Sequence, residues 1–217
     1  MPTSPPTGSA GHHYLAVGPR VGVRPFTQED GEEFTAAARA SVGHHRPWLF
    51  PPLTVEAYAT YARHLIDDPA RVGLLVCARE PSPGSEAGPG AARQREPGRA
   101  SPSARGPDRI AGFININNIV RGSFRCGALG YGAFAHASGR GLLREALDLV
   151  LRYAFGPLDL HRLEANVQPG NLASLALIRG AGFRLEGYSP DFLHIDGAWR
   201  DHERWAITSA MRESAES

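Results

Sequence analysis

Apolar residues recur at two spacings along this chain, and the switches between them mark out the elements. Residues 21–26 form a short apolar run closed by the turn-forming Thr27-Gln-Glu-Asp30, and Asp30 or Thr27 can cap a helix over 31–41. A proline-rich stretch follows, His44-His-Arg-Pro-Trp-Leu-Phe-Pro-Pro52, carrying Trp48 and Phe50 on a loop. Thr54 then opens a helix to Asp67, with Val55, Tyr58, Ala59, Ala62 and Leu65 at helical spacing. Residues 72–78 are a compact apolar run, read as a central strand. Residues 110–120 alternate, with Ile114 and Ile116 set against Asn115 and Asn117, which predicts a half-buried strand. Residues 124–135 supply its antiparallel partner.

The chain is organised around what comes next. Residues 127–155 read as a strand, a glycine-containing turn over 136–141 and a strongly apolar helix stopped by Gly156-Pro157. Such a turn aims several backbone amides at one point and the helix adds its positive end, so it can bind phosphate or pyrophosphate. In the strand over 160–168, Leu163, Ala165 and Val167 face one side and Arg162, Glu164 and Asn166 the other. Pro169-Gly170 turns the chain, Asn171 caps a helix to about Ala181, and Gly182 ends it. Strands over 183–188 and 192–199 follow, with Asp196-Gly197 as a hairpin signal, and 201–208 closes the sheet. This order predicts a mixed α/β fold: a mostly antiparallel central sheet with helices on both faces, not a doubly wound parallel sheet.

Composition changes the picture in a few places. Residues 80–108 are rich in Pro, Gly, Ser, Ala and Arg, with no aromatic and no aliphatic residue larger than Ala. Such a segment buries too little apolar surface to offset its ordering entropy, so a disordered insert at a hairpin tip is expected. Residues 1–20 and 209–217 read as tails around a single domain over 21–208. The start of the chain lacks the apolar core and arginines of a targeting segment. All 23 basic residues are arginine, which excludes a phosphate-binding, Schiff-base or general-base lysine. The formal net charge of +1 gives no argument for nucleic acid, and no apolar run reaches the roughly 18 residues of a membrane span. Cys77 and Cys126 lie in apolar runs and read as reduced core residues of a cytoplasmic protein.

Other chemistries lack an anchor. Gly130-Tyr-Gly-Ala-Phe-Ala135 matches a dinucleotide fingerprint in letters only, because it lies within the strand and ahead of the turn. Gly-x-Ser-x-Gly, His-x-x-x-His and Cys-x-x-Cys are absent, so hydrolase and zinc readings have no anchor. In order, however, stand Gly130-Tyr131, Gly139-Arg140-Gly141, Glu145-Ala146, Tyr153-Ala-Phe155, Leu160 to Val167, Asn171-Leu-Ala-Ser174, Gly182-Phe183, Glu186-Gly187 and Asp196-Gly-Ala-Trp-Arg-Asp-His202. This series resembles the GNAT acyltransferase superfamily, in the branch holding the ribosomal-protein-alanine N-acetyltransferases. The resemblance spans about 21–208 apart from the insert.

The resemblance implies an acetyl-CoA-dependent N-acetyltransferase without a metal, working by direct transfer in a ternary complex. Its pyrophosphate loop falls on His136-Ala137-Ser138-Gly139-Arg140-Gly141, with amides through Leu142, and His136 stands where the family has Arg or Gln. The strand edge near Phe134 and Ala135 would pair with the pantetheine arm. Asn171 and Ser174 match the family's Asn-x-Ala-Ser element, and Ser174 is the expected proton donor to the leaving thiolate. Glu164 and Asn166 are candidates for water positioning or substrate contact, beside a structural hydrogen bond. His45-Arg-Pro-Trp-Leu-Phe50 resembles an acceptor-side loop, placing Trp48 and Phe50, with Tyr188 of the later hairpin, at the substrate. The implied acceptor is a protein N-terminal amine, with a small amine or a non-catalytic acyl-CoA-binding module as alternatives. No nucleic-acid or membrane partner is implied, and the chain is a monomer or homodimer.

Overall fold

A computed structural model describes residues 13–79 and 109–216. Eight strands form one sheet in the order β1 (Ala16–Val17), β2 (Val21–Pro25), β3 (Val72–Ala78), β4 (Arg109–Val120), β5 (Cys126–Ala133), β6 (Arg162–Val167), β8 (Ala198–Thr208) and β7 (Arg184–Ile195). Every pairing is antiparallel except β5 with β6. Those two are joined by α4 (Leu142–Phe155), because parallel neighbours need a crossover. The mixed sheet expected from the element order is thus present.

Period-2 alternation divides the core in two. On β3, Leu74 and Val76 pack with α4 and α5 (Leu172–Gly180), while Leu75 and Cys77 pack with α1 (Gly31–Ala40) and α3 (Val55–Asp67). On β4 the polar alternation misleads: residues 110–116 are buried on both faces. Asn115 is inside, its Nδ2 donating to Tyr61 Oη at 2.5 Å while its Oδ1 is buried without a partner among the described residues, so the hydrogen bond offsets only part of the cost of burying the amide. A half-buried strand is therefore corrected to a central one.

Three boundaries also differ from the sequence reading. The two strands expected at 183–188 and 192–199 are one twelve-residue strand, β7, with an irregularity in its pairing to β8 between Ser189 and Leu193. The hairpin turn at Asp196-Gly197 is where expected, with positive φ at both residues. Residues Ala16–Val17 already pair with β2, and Ser209–Glu216 form a helix, α6, whose Met211 packs on the core, so neither flank is wholly a tail. The insert over 80–108 lies outside the described residues, and the strands flanking it pair with Ala78 opposite Arg109. Among the described residues no helix is long and apolar enough to cross a membrane.

Candidate active site

The sheet splits between its two parallel strands. β5 pairs with β6 only from Cys126–Arg162 to Leu129–Ala165. Beyond that, Gly130–Ala133 pair with β4 alone and Asn166–Val167 with β8 alone. A cleft of about 820 Å³ occupies the gap, lying at the carboxyl ends of parallel strands where open sheets bind ligands. Phe134 N–H bonds Ala111 C=O on the β4 side, so by alternation Tyr131 and Ala133 present their backbone groups to the open side. His45, at the end of the short helix α2 (Val42–His45), claims the Ala133 carbonyl through Nε2 at 2.8 Å.

The turn after β5 carries the features of an anion site. Gly139 and Gly141 have φ of 73° and 76°, conformations that cost an L side chain. Gly141 is the N-cap of the fourteen-residue α4, and the first intrahelical bond it receives comes from Glu145 N–H. The amides of Leu142, Leu143 and Arg144 therefore point out of the helix end unpaired within it. Ala137, Ser138, Gly139, Gly141, Leu142 and Arg144 line the cleft. Glu145 ties this helix end to β2: its carboxylate accepts from Arg20 N and Nε at 2.8 Å each and from Val21 N at 3.3 Å. Arg20 in turn donates to the Arg140 carbonyl at 3.0 Å, so the turn is braced from behind.

Not every turn residue contributes its side chain. His136 stacks on Phe134 at 6.3 Å and 14° and does not line the cleft, while Phe134 is fully buried in the α1/α3 core. Burial, aided by Arg109, pushes the His136 imidazole down, so it adds no cation to the turn at neutral pH. Ala135 N–H is taken by Ser41 Oγ at 2.9 Å, and Phe134 C=O accepts from the Ala137 and Ser138 amides. With the Ala133 carbonyl taken by His45, the free strand edge is therefore at Tyr131 and the Ala133 amide rather than at Phe134–Ala135. Arg140 lies outside the cleft lining.

Across the gap, Asn171 caps α5 by accepting from Ser174 N–H at 3.2 Å. Ser174 Oγ lies 2.6 Å from Tyr131 Oη, a contact that bridges α5 and β5 over the cleft. Burial pushes the Tyr131 phenol up to about 12, the bond to Ser174 opposing this, so the phenol is protonated at neutral pH. Tyr131 stands in the resemblance series but has no expected role there; its place between Gly130 and Gly132 on a strand is the one signal of it in the sequence.

Pairing parity divides the rest. Leu163, Ala165, Val167, Trp205 and Ile207 belong to the α4/α5 face, so Asn166, Gln168, His202 and Arg204 are on the α1/α3 face. Of these, Asn166, Gln168 and His202 line the cleft, and Asn166 Oδ1 is buried without a partner. Trp48 lines the same side, its Cη2 2.8 Å from where a Cβ on Gly170 would sit, and Leu49 fills the space over Gly132.

Three other expected residues are elsewhere. The Glu164 carboxylate pairs with Arg162 at 3.0 Å and Arg204 at 3.5 Å and is not in the cleft lining. Phe50 lies under Arg46 at 5.1 Å and lines a separate cavity of about 160 Å³ beneath the loop. Tyr188 is exposed on β7, hydrogen-bonded to Asp201.

Residues 20–184 match the acetyltransferase (GNAT) domain family, which is most of the chain. The chain belongs to the GNAT family. Over 100 residues it is 44% identical to the [ribosomal protein uS5]-alanine N-acetyltransferase of Escherichia coli (strain K12), covering 46% of this chain and 52% of that protein. The chain thus spans about half the length of the curated relatives it matches. A solved structure described as Mycobacterium smegmatis RimJ in complex with CoA-disulfide superposes with a TM-score of 0.70 at 26% identity, covering 88% of this chain and 82% of that one. Ribosomal-protein-S5-alanine acetyltransferase from Vibrio fischeri shares the fold with a TM-score of 0.70 at 21% identity, over 90% of this chain and 96% of that one.

Proposed function

We infer that the chain is an acetyl-CoA-dependent N-acetyltransferase whose acceptor is the N-terminal α-amine of a protein. The observation that carries this reading is the Tyr131–Ser174 hydroxyl pair, set at the split between β5 and β6 beside the unpaired amides of the α4 turn. The turn suits a pyrophosphate, the open edge at Tyr131 and the Ala133 N–H suits the amides of a pantetheine arm, and the paired hydroxyl suits a departing sulfur. Acetyl-CoA supplies the activated acetyl group. This chain's residues bind it, hold its thioester in the gap and give a proton to sulfur.

The acceptor side favours a peptide over a polyamine. Among the described residues lining the cleft none is acidic; that side offers Trp48, Leu193, Ile195, Asn166, Gln168 and His202. A polycation needs carboxylates to offset its desolvation, whereas a peptide N-terminus needs one amine contact and apolar cover. Similarity to the [ribosomal protein uS5]-alanine N-acetyltransferase supports the same acceptor class, with alanine at the first position. The test is thiol release from acetyl-CoA with an alanine-initiated peptide and with spermidine, the product located by mass spectrometry. Turnover on the peptide α-amine is expected. Turnover on spermidine alone would replace this acceptor, and acetyl-CoA binding without turnover on either would favour a binding module.

Gly141→Ala tests the turn separately. A non-glycine residue at a φ of 76° is strained, and the αL conformation costs roughly 1–2 kcal/mol. The expected result is about a tenfold rise in the acetyl-CoA Kd by titration calorimetry, with little change in the peptide KM.

A further inference from the structure

The geometry points to His202 as the base that takes a proton from the acceptor's ammonium group, an inference that rests on the acetyltransferase reading above. A neutral amine must attack the thioester, yet the carboxylate nearest in sequence pattern, Glu164, is held by two arginines outside the cleft. His202 is 2% exposed on β8 and lines the cleft. Its Nδ1 lies 2.8 Å from the Arg200 carbonyl oxygen. A carbonyl can only accept, so Nδ1 carries the hydrogen, and the neutral ring keeps its lone pair on Nε2. Nε2 has no hydrogen-bond partner among the described residues. Phe192 packs against the ring at 5.8 Å and 61°, which holds it in that orientation.

Its position in the sheet fits an acceptor-side role. The phosphate turn, Tyr131 and Ser174 belong to the α4/α5 side of the gap, whereas His202 shares the opposite face with Asn166 and Gln168. An amine reaching the thioester from the α1/α3 side meets this face. The buried His45 and the half-buried His136 are committed elsewhere. His45 donates Nε2–H to Ala133 and its Nδ1 is sealed from solvent; His136 stacks on Phe134 away from the cleft. His44 lines the cleft but is exposed, with no hydrogen bond to fix its ring.

The charged neighbours of His202 are accounted for. Asp201 precedes it and is held by Tyr188 Oη and Asp191 N–H from β7. Arg204 shares its face but lies over Phe192 at 5.2 Å and pairs with Glu164. Glu203 is on the other face and accepts from Trp205 Nε1 at 3.0 Å. Across the cleft stand His44 and His45 from α2, Tyr131 from β5 and Arg144 from α4.

In the step, His202 Nε2 takes one proton from the ammonium. The freed nitrogen lone pair forms the C–N bond as the C–S bond breaks, its electron pair staying on sulfur. Ser174 gives its hydroxyl proton to that sulfur, and the second proton shed by nitrogen restores the Ser174 hydroxyl through solvent. The imidazolium returns its proton to solvent, so each turnover releases one proton.

His202→Asn keeps a donor near the Nδ1 position for the Arg200 carbonyl and removes Nε2. With an alanine-initiated peptide near pH 7, kcat/KM is expected to fall only about tenfold, because roughly a tenth of an α-amine of ordinary pKa is already neutral there. The deficit is expected to narrow as pH rises beyond about 8, where the free amine is supplied by solution. The acetyl-CoA Kd is expected to be unchanged. A kcat/KM ratio to wild type that stays constant from about pH 6 to 9, or an unaltered rate, overturns the proposal, since a purely structural role gives no such pH dependence. Wild-type protein without turnover overturns the acetyltransferase reading, and the role of His202 with it. If His202→Asn loses acetyl-CoA binding, His202→Gln is judged by the same pH criterion.

Discussion

Asp30→Ala is expected to cost about 3–5 kcal/mol of folding stability, the usual penalty for stranding one member of a buried ion pair. Arg24 and Asp30 are 3% and 6% exposed, on the face of the sheet covered by α1 and α3. The guanidinium spans the carboxylate with Nη1–Oδ2 at 2.8 Å and Nη2–Oδ1 at 2.5 Å. Thr27 N and Oγ1 add donors to Oδ2 at 2.9 Å each. Removing the carboxylate leaves a cation and a backbone N–H buried together, and it loosens the entry to α1, whose Phe34, Ala37 and Ala38 fill that core. Urea unfolding of the two proteins measures the loss; a difference below about 1 kcal/mol would mean that water or a rotated Arg24 replaces the pair.

The same pair sets an acid limit. Burial alone would raise the Asp30 carboxyl, but Arg24 and the Thr27 donors outweigh it and hold it below the ordinary carboxylate value. A depressed folded value means stability that is fully present above the unfolded pKa of about 3.9 and lost as pH falls through the folded value. The wild-type advantage over Asp30→Ala should therefore be flat from about pH 5 to 8 and shrink below about pH 4.

Local chemistry was legible in the sequence; long-range pairing was not. Thr54 accepts from Ala57 N–H, Asn171 accepts from Ser174 N–H, and Gly182 has a φ of 88°, each as its residue type and place in the helix pattern required. The turn glycines were readable for the same reason, since a left-handed backbone leaves a mark in composition. Alternation, by contrast, states only that a polar residue faces away from one core. Glu164 and Asn166 share a strand face and a spacing, yet one ends in an arginine pair and the other in the cleft. Arg162, two residues before Glu164, and Arg204 on β8, forty residues downstream, make that choice together, and the second partner is invisible in local sequence. Asn115 looked like a solvent-facing position until Tyr61 supplied its partner. The His202 tautomer depends on a carbonyl two residues away, a geometry no residue pattern records.

Ser174→Ala is expected to lower kcat by about 10²–10⁴-fold, the range for losing a positioned proton donor. The acetyl-CoA Kd should change little, because Asn171 still accepts from the residue 174 amide and the α4 turn is untouched. Ser174 is suited to the task by its partner. With the phenol protonated, Tyr131 can donate to Ser174 Oγ across 2.6 Å, which leaves the serine hydrogen free to point at the sulfur. Tyr131 then acts through Ser174, so Tyr131→Phe should lower kcat by a smaller factor. The double variant should be no worse than Ser174→Ala alone, since residues acting as a unit are not additive. Multiplicative losses would show that Tyr131 reaches the sulfur independently. An unchanged kcat in Ser174→Ala, with thiol release still tied to acetyl-peptide formation, would remove Ser174 from the mechanism and leave the thiolate to depart unprotonated, stabilised only by the backbone edge of β5 and the N-terminus of α5.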